Sequence, residues 1–186
     1  MKYVSIDIFK SLRNSREFRR GKLAAFDVGS KKVGVAITDE FQRDVGPALE
    51  NITRTEPRME PAQIEKFSKK VQALISQHNI VGVVVGFPLA PDGTSTPFCQ
   101  EIIDLFGAFK CHRVITEEYM NVDNKTVRKT TKMSIPYTFW DERNSTIGAR
   151  RLANTMTNKK SVKIKLRDSL AASLILQGFL QGEDED

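Results

Sequence analysis

The chain has 186 residues, 29 Lys/Arg against 23 Asp/Glu, two His and a formal net charge of +6. That length fits one domain that buries its own core without disulfide or zinc staples, and 40% hydrophobic with 28% charged residues excludes a mostly disordered chain. No run nears the about 20 apolar residues of a membrane span, and Cys99, Cys111, His78 and His112 offer neither zinc-site spacing nor a disulfide scaffold.

Along the chain, residues 1–22 carry seven Lys/Arg and only Asp7 and Glu17 as acids. Val4, Ile8 and Leu12 can share a helical face, which suits a short surface helix. It equally suits an amphipathic targeting segment, so the compartment reads as cytoplasmic, or organellar if this segment is a signal. The domain proper is read as 23–182, with an acidic tail at 183–186. Leu23–Val28 and Val33–Thr38 flank the turn Gly29-Ser30-Lys31-Lys32 and read as a β-hairpin, with a third antiparallel strand over Ala48–Ile52. Pro61–His78 has helical spacing. Ile80–Val85 is a β-branched run suited to a strand buried on both faces. Gly86–Thr96 reads as a loop, and a helix follows carrying Phe98, Ile102, Leu105, Phe106 and Phe109. Tyr137–Trp140 is a short strand, Thr146–Met156 a helix, and Asp168–Leu180 a last helix. The sum is α/β: a mixed sheet with helices on its faces.

Three acidic positions fall at strand ends or a helix start, where α/β sheets collect their chemistry: Asp27, the pair Asp141-Glu142, and Asp168. Each has a plainer role by itself. Asp27 precedes a glycine turn, Asp141 and Glu142 suit a solvated ion pair, and Asp168 suits a helix N-cap. Converging carboxylates instead suit hard cations such as Mg²⁺ or Mn²⁺, and a pair of these serves phosphodiester hydrolysis.

Order and context favour convergence. Leu23-Ala-Ala-Phe-Asp-Val-Gly-Ser-Lys-Lys-Val-Gly-Val-Ala-Ile-Thr-Asp39 resembles the opening motif of the YqgF/RuvX family, the Holliday-junction-resolvase-like branch of the ribonuclease H superfamily. Val83-Val-Val-Gly-Phe-Pro-Leu89 with Asp92-Gly93-Thr94, Trp140-Asp-Glu-Arg-Asn-Ser-Thr146 and Asp168-Ser-Leu-Ala-Ala-Ser-Leu-Ile-Leu-Gln-Gly178 resemble its later motifs, in order. The resemblance implies a ribonuclease H-like fold, a five-stranded mixed sheet whose first three strands are antiparallel, flanked by helices. It implies catalytic carboxylates at Asp27, Asp168 and one of Asp141 and Glu142, binding two divalent ions, Mg²⁺ or Mn²⁺. Neighbouring strand residues face opposite ways, so one acid of the pair faces the metals; Glu142 is favoured and Asp141 is the fallback. Gly29, Gly86, Asp92 and Gly93 are placed near the site, although Gly29 also suits plain hairpin geometry and Asp92-Gly93 a plain turn.

Lys31, Lys32, Arg143, Lys159, Lys160, Lys163, Lys165 and Arg167 are candidate phosphate contacts, with Arg143 alternatively fixing a neighbouring carboxylate. Lys110–Ile135 exceeds the family's usual connector, predicting an insertion near 111–134 beside the site, either a phosphate-contacting flap or a solvated loop. Residues 124–167 hold twelve Lys/Arg and only Asp141 and Glu142 as acids. The expected activity is metal-dependent hydrolysis of nucleic acid, with the family's bacterial members implying 5′-end processing of precursor ribosomal RNA. The partner is structured RNA or branched DNA, bound by a monomer or homodimer. Holliday junction resolution and a non-catalytic nucleic-acid-binding role in transcription or ribosome assembly are the alternatives. Asp27-Val28-Gly29-Ser30 also resembles the phosphate loop of actin-like ATPases and sugar kinases, but those need two such domains and this length holds one.

Overall fold

The apolar run after Gly21 pairs on both sides. Strand β2 (Lys22–Val28) lies antiparallel to β3 (Lys32–Ile37) and parallel to β5 (Ile80–Phe87). Outside these sit β4 (Ile52–Thr53), antiparallel to β3, and β8 (Pro136–Asp141), parallel to β5. The computed structural model describes residues 1–46, 49, 51–54, 60–143, 149 and 160–182, by backbone alone over 160–169. The order β4-β3-β2-β5-β8, with its first three strands antiparallel, is the ribonuclease H-like arrangement. The third strand, expected over Ala48–Ile52, is seen at Ile52–Thr53, and Ala48 and Glu50 of that run lie outside the described residues.

A sixth strand, β1 (Lys2–Tyr3), adds to β8 in parallel. Helix α1 (Ile6–Arg13), capped by Ser5, follows, and then a single 3-10 turn over Phe18–Arg20. The helix is rotated from its expected phase. Ile8 is 53% exposed, and Phe9, fully buried, makes edge contacts with Phe18 and Phe179. Gly82 of β5 admits those rings: a Cβ there would lie 2.7 Å from Phe9 and 2.8 Å from Phe18. Residues 1–20 are therefore packed into the domain.

The two sheet faces carry separate cores. Strand alternation sends Ala24, Phe26, Val83, Val85 and Tyr137 to one face, where they meet Phe67, Val71 and Ile75 of α2 (Pro61–His78) and Ile102 and Phe106 of α3 (Pro97–Ala108). Helix α2 starts on a capping box, Glu60 with Gln63, with Pro61 in its first turn. Leu23, Ala25, Ala36 and Val84 face the other way, against α1 and against Ala172, Ile175, Leu176 and Phe179 of α4 (Lys160–Gln181).

Helix α4 starts at least eight residues before Asp168, so Asp168 is interior and is no N-cap. Lys, Leu, Ile and Arg carry the helix through the basic strip, which is helical from Lys160 rather than an exposed linker. Lys159, the side chains of Lys160, Lys163, Lys165, Arg167 and Asp168, most of the helix expected over Thr146–Met156 and the acidic tail lie outside the described residues.

The long connector is an antiparallel hairpin, β6 (His112–Met120) with β7 (Thr126–Ser134), forming its own two-stranded sheet. Its root is tied to α2 by Gln72, which donates to the His112 carbonyl (2.8 Å) and accepts from the His112 N–H (2.8 Å). Because β7 runs straight into the amino end of β8, the hairpin springs from the end of the sheet opposite Asp27 and Glu142, and not beside them. No helix among the described residues is long and apolar enough to cross a membrane.

Candidate active site

The carboxyl ends of β2, β5 and β8 align the site. Register places Phe26 against Val85, and Gly86 against Trp140, so Asp27 and the residues following Trp140 flank Gly86. Alternation then separates the acidic pair. Leu23 and Ala25 face α4, so Asp27 does too; on β8 the same face takes Trp140 and then Glu142, while Asp141 turns away. Gly86 belongs to β5 and not to the loop expected there, and it is the seat of the Glu142 carboxylate. A Cβ at Gly86 would fall 1.9 Å from Glu142 Oε2 and 2.6 Å from Ile175 Cδ1 of α4. Only glycine allows this approach.

Glu142 is 9% exposed. Burial, then the charge of Asp27 and a hydrogen bond with it, then the charge of Asp141, push its carboxyl up to about 8. This is the behaviour of two carboxylates sharing one dry place: the first to ionise opposes the second. Position 168 lies one turn before Ala172 and two before Ile175 along α4.

Asp141 has a different environment. Arg143 grips it through Nε (2.7 Å) and Nη2 (2.6 Å), and the Arg143 N–H adds a third bond (3.1 Å). These bonds hold the Asp141 carboxyl below its ordinary value. Arg143 Nη1 also donates to the Pro91 carbonyl (3.3 Å), tying the end of β8 to the loop after β5. In that loop Asp92 accepts from the Thr94 N–H (3.0 Å) and hydroxyl (2.7 Å), with Gly93 in the left-handed region at φ +84°. Arg143 thus fixes its neighbouring carboxylate, and Asp92-Gly93 forms a turn.

The Gly29 N–H closes the β2–β3 turn on the Lys32 carbonyl (2.8 Å), which is hairpin geometry. Lys31 is exposed and Lys32 half-buried in this turn, next to Asp27. One residue gave no signal in the sequence: Arg54, 4% exposed, donates to the Gly29 carbonyl (3.1 Å), pairs with Glu101 of α3 (3.8 Å) and lies 5.9 Å from the Phe98 ring centroid. It steadies the turn after Asp27 through partners 25 and 47 positions away, which local sequence does not signal.

The donor chemistry fits a hard divalent cation. Asp27 and Glu142 bring only oxygen ligands, and their mutual repulsion is what a cation relieves. No cluster of three or more His, Cys, Asp or Glu able to hold a metal occurs among the described residues, a set without the Asp168 side chain.

A sequence model of the RuvX family, described as Holliday junction resolvase, matches residues 21–123 and 113–182. A protein of Chelativorans sp. (strain BNC1) named "Putative pre-16S rRNA nuclease" is 31% identical over 177 residues, covering 95% of this chain and 92% of its own length. A protein of the same name from Cereibacter sphaeroides (strain ATCC 17029) is 30% identical over 166 residues, 89% of this chain and 86% of that one. Among solved structures, T. thermophilus RuvC in complex with a Holliday junction substrate aligns with a TM-score of 0.46 and 9% identity, over 88% of this chain and 96% of that one. With the family match running from Gly21 to Gly182 and such relatives spanning nearly the whole sequence, the chain belongs to the RuvX family.

Proposed function

We propose that the chain is a nuclease that hydrolyses phosphodiester bonds in structured RNA, with precursor ribosomal RNA as its substrate. The observation that carries this is the Asp27–Glu142 pair, pressed together over Gly86 at the carboxyl end of the sheet. Family membership and the names of the relatives support the same reading.

In this reading Asp27, Glu142 and Asp168 would hold two divalent ions, Mg²⁺ or Mn²⁺, whose chemistry when bound would be to lower the pKa of a water and offset charge on the leaving oxygen. Glu142 would have to be ionised to act as a ligand, because a carboxylate and not a carboxylic acid binds a cation. Gly86 keeps the carboxylate where Asp27 can share its load, and Ile175 closes the dry side. Lys31 and Lys32 on the turn beside Asp27 are placed to meet substrate phosphates.

The test is cleavage of a structured RNA carrying the 5′ leader of a 16S precursor, by wild type and by Asp27→Asn, with Mg²⁺ or Mn²⁺. One defined product end from wild type and none from the variant is expected. Equal cleavage by both, or by neither across metals and pH, sinks the mechanism. The family description supports a second reading, resolution of branched DNA, so a four-way DNA junction belongs in the same assay. Symmetric cuts there, with the RNA left intact, would replace the first reading by the second.

A further inference from the structure

At the other end of β2 the surface has the opposite character. A groove of about 500 Å³ opens between the 3-10 turn, the loop after β3 and the last turn of α2. Its lining includes Arg19, Arg20, Lys22 and His78, with Glu40 as the one acid. Arg19 and Arg20 are exposed, and neither they nor Lys22 make an ion pair among the described residues. The rim carries Phe41, 76% exposed, with the Arg43 guanidinium 6.0 Å from its ring centroid.

The walls are fixed from beneath. Gln42, 4% exposed, donates to the carbonyls of Phe18 (2.6 Å) and Gly21 (2.7 Å), joining the loop after β3 to the 3-10 turn. Asn79 donates to the Arg20 carbonyl (2.7 Å), and its own carbonyl accepts from the Lys22 N–H (3.0 Å). Arg113, at the root of the β6–β7 hairpin, donates to the Glu17 carbonyl (3.3 Å). Burial, and after it the charge of Arg20, lowers the Arg113 guanidinium from its ordinary value, so these two cations are neighbours. Cations that outnumber the one acid of the groove and make no ion pair among the described residues, next to an exposed ring, match what single-stranded nucleic acid needs: charge for the backbone and a flat face for a base.

We infer that this groove is a second nucleic-acid contact, which seats the backbone of a single strand on Arg19, Arg20 and Lys22 and stacks a base on Phe41. It rests on the nuclease reading for its biological sense and lies about 17 Å from Asp27, the length of β2 between them. A strand held there fixes where a substrate enters relative to the carboxylates without touching the reacting bond.

The test separates binding from cleavage by working in EDTA. Fluorescence anisotropy with a labelled 12-nucleotide oligouridine is measured on the full chain, on Arg19→Ala/Arg20→Ala, on Phe41→Ala and on Phe41→Trp, with circular dichroism confirming each fold. Losing two phosphate contacts is expected to weaken binding at least about tenfold and to flatten its salt dependence by about two counterions. Phe41→Ala is expected to lose about tenfold, the worth of one stacked base. Phe41→Trp is expected to keep affinity, with its added fluorescence quenched on binding. Unchanged affinity in the alanine variants, no binding by wild type, or a blunt duplex binding as tightly as the strand overturns the inference. So does competition by uridine monophosphate or inorganic phosphate at oligonucleotide concentrations, which would make the groove a small-anion site. Since the metal is chelated, a protein that cleaves nothing still binds or fails to bind the strand, and a failed groove leaves the cleavage assay standing.

Discussion

Strand β2 begins among cations that water covers and ends at a carboxylate pressed against another that water hardly reaches. The two ends obey different energetics. Exposed Arg and Lys cost the fold little, since solvent screens them and they need no partner. The Glu142 carboxylate is costly to ionise, and it is tolerated because Gly86 makes room and a proton neutralises it when nothing else does. Substitutions at the carboxyl end should therefore move stability, and those at the amino end should move binding alone.

The largest effect is expected at Gly86→Ala. The new Cβ cannot coexist with Glu142 and Ile175 where they stand, so a loss of about 3 kcal/mol and a melting temperature lower by roughly 10 °C should accompany loss of cleavage. A melt matching wild type would show that the carboxylate does not need that seat.

Glu142→Gln tests the same end through pH. A carboxyl raised to about 8 in the fold, against an ordinary value of 4.5, is bound to its proton more tightly in the folded than in the unfolded chain. Its stabilising contribution is complete below pH 4.5 and is lost as pH rises through about 8. Metal-free wild type should thus lose stability across that window while the Gln variant loses less, the gap widening as pH rises toward 8. Parallel curves in chemical denaturation from pH 5 to 9 would contradict it.

Arg54→Met is expected to cost about 1.5 kcal/mol, by leaving Glu101 and the Gly29 carbonyl without their guanidinium partner. It should also lower cleavage by loosening the turn after Asp27; unchanged kcat alongside lower stability would confine Arg54 to packing. Arg143→Ala is expected to cost under about 1 kcal/mol, because its pair with Asp141 is solvent-exposed. The smallest change is expected for Arg19→Ala/Arg20→Ala, within about 0.5 kcal/mol of wild type in a thermal melt. A larger loss would break the contrast between the two ends.

Strand alternation was enough to say that Asp141 and Glu142 face opposite ways, but it left open which of them faces Asp27, since that depends on how the end of β8 lies against β5 and α4. The β-branched run of β5 and the spacing of α2 were equally plain. What stayed hidden depends on partners distant in sequence. Lys2–Tyr3 becomes a strand only because β8 offers an edge, and two residues carry no pattern of their own. Helix α1 could present Ile8 or Phe9, and the cavity over Gly82 selects the ring. Asp168 reads locally as a cap, yet α4 extends past it toward the amino side. Arg54 gains its role from Glu101 and Gly29 together. The hairpin's β-branched and threonine-rich stretches, Val114–Thr116 and Thr126–Thr131, were a readable signal for strands. Its position away from the carboxylates was not readable, since that follows from which end of β8 it feeds.

The pairing of β1 with β8 has a consequence for maturation and handling. An open β8 would present a bare row of backbone donors and acceptors, the template on which chains aggregate edge to edge. Two residues, Lys2 and Tyr3, shield the first part of that row, and Phe9 anchors them by filling the hollow above Gly82. A protease cutting between Phe9 and Phe18 would sever both β1 and Phe9 from the domain, and loss of that segment would uncover the edge and take Phe9 out of the hollow together. Preparations trimmed at the amino terminus should therefore precipitate before they lose helix content.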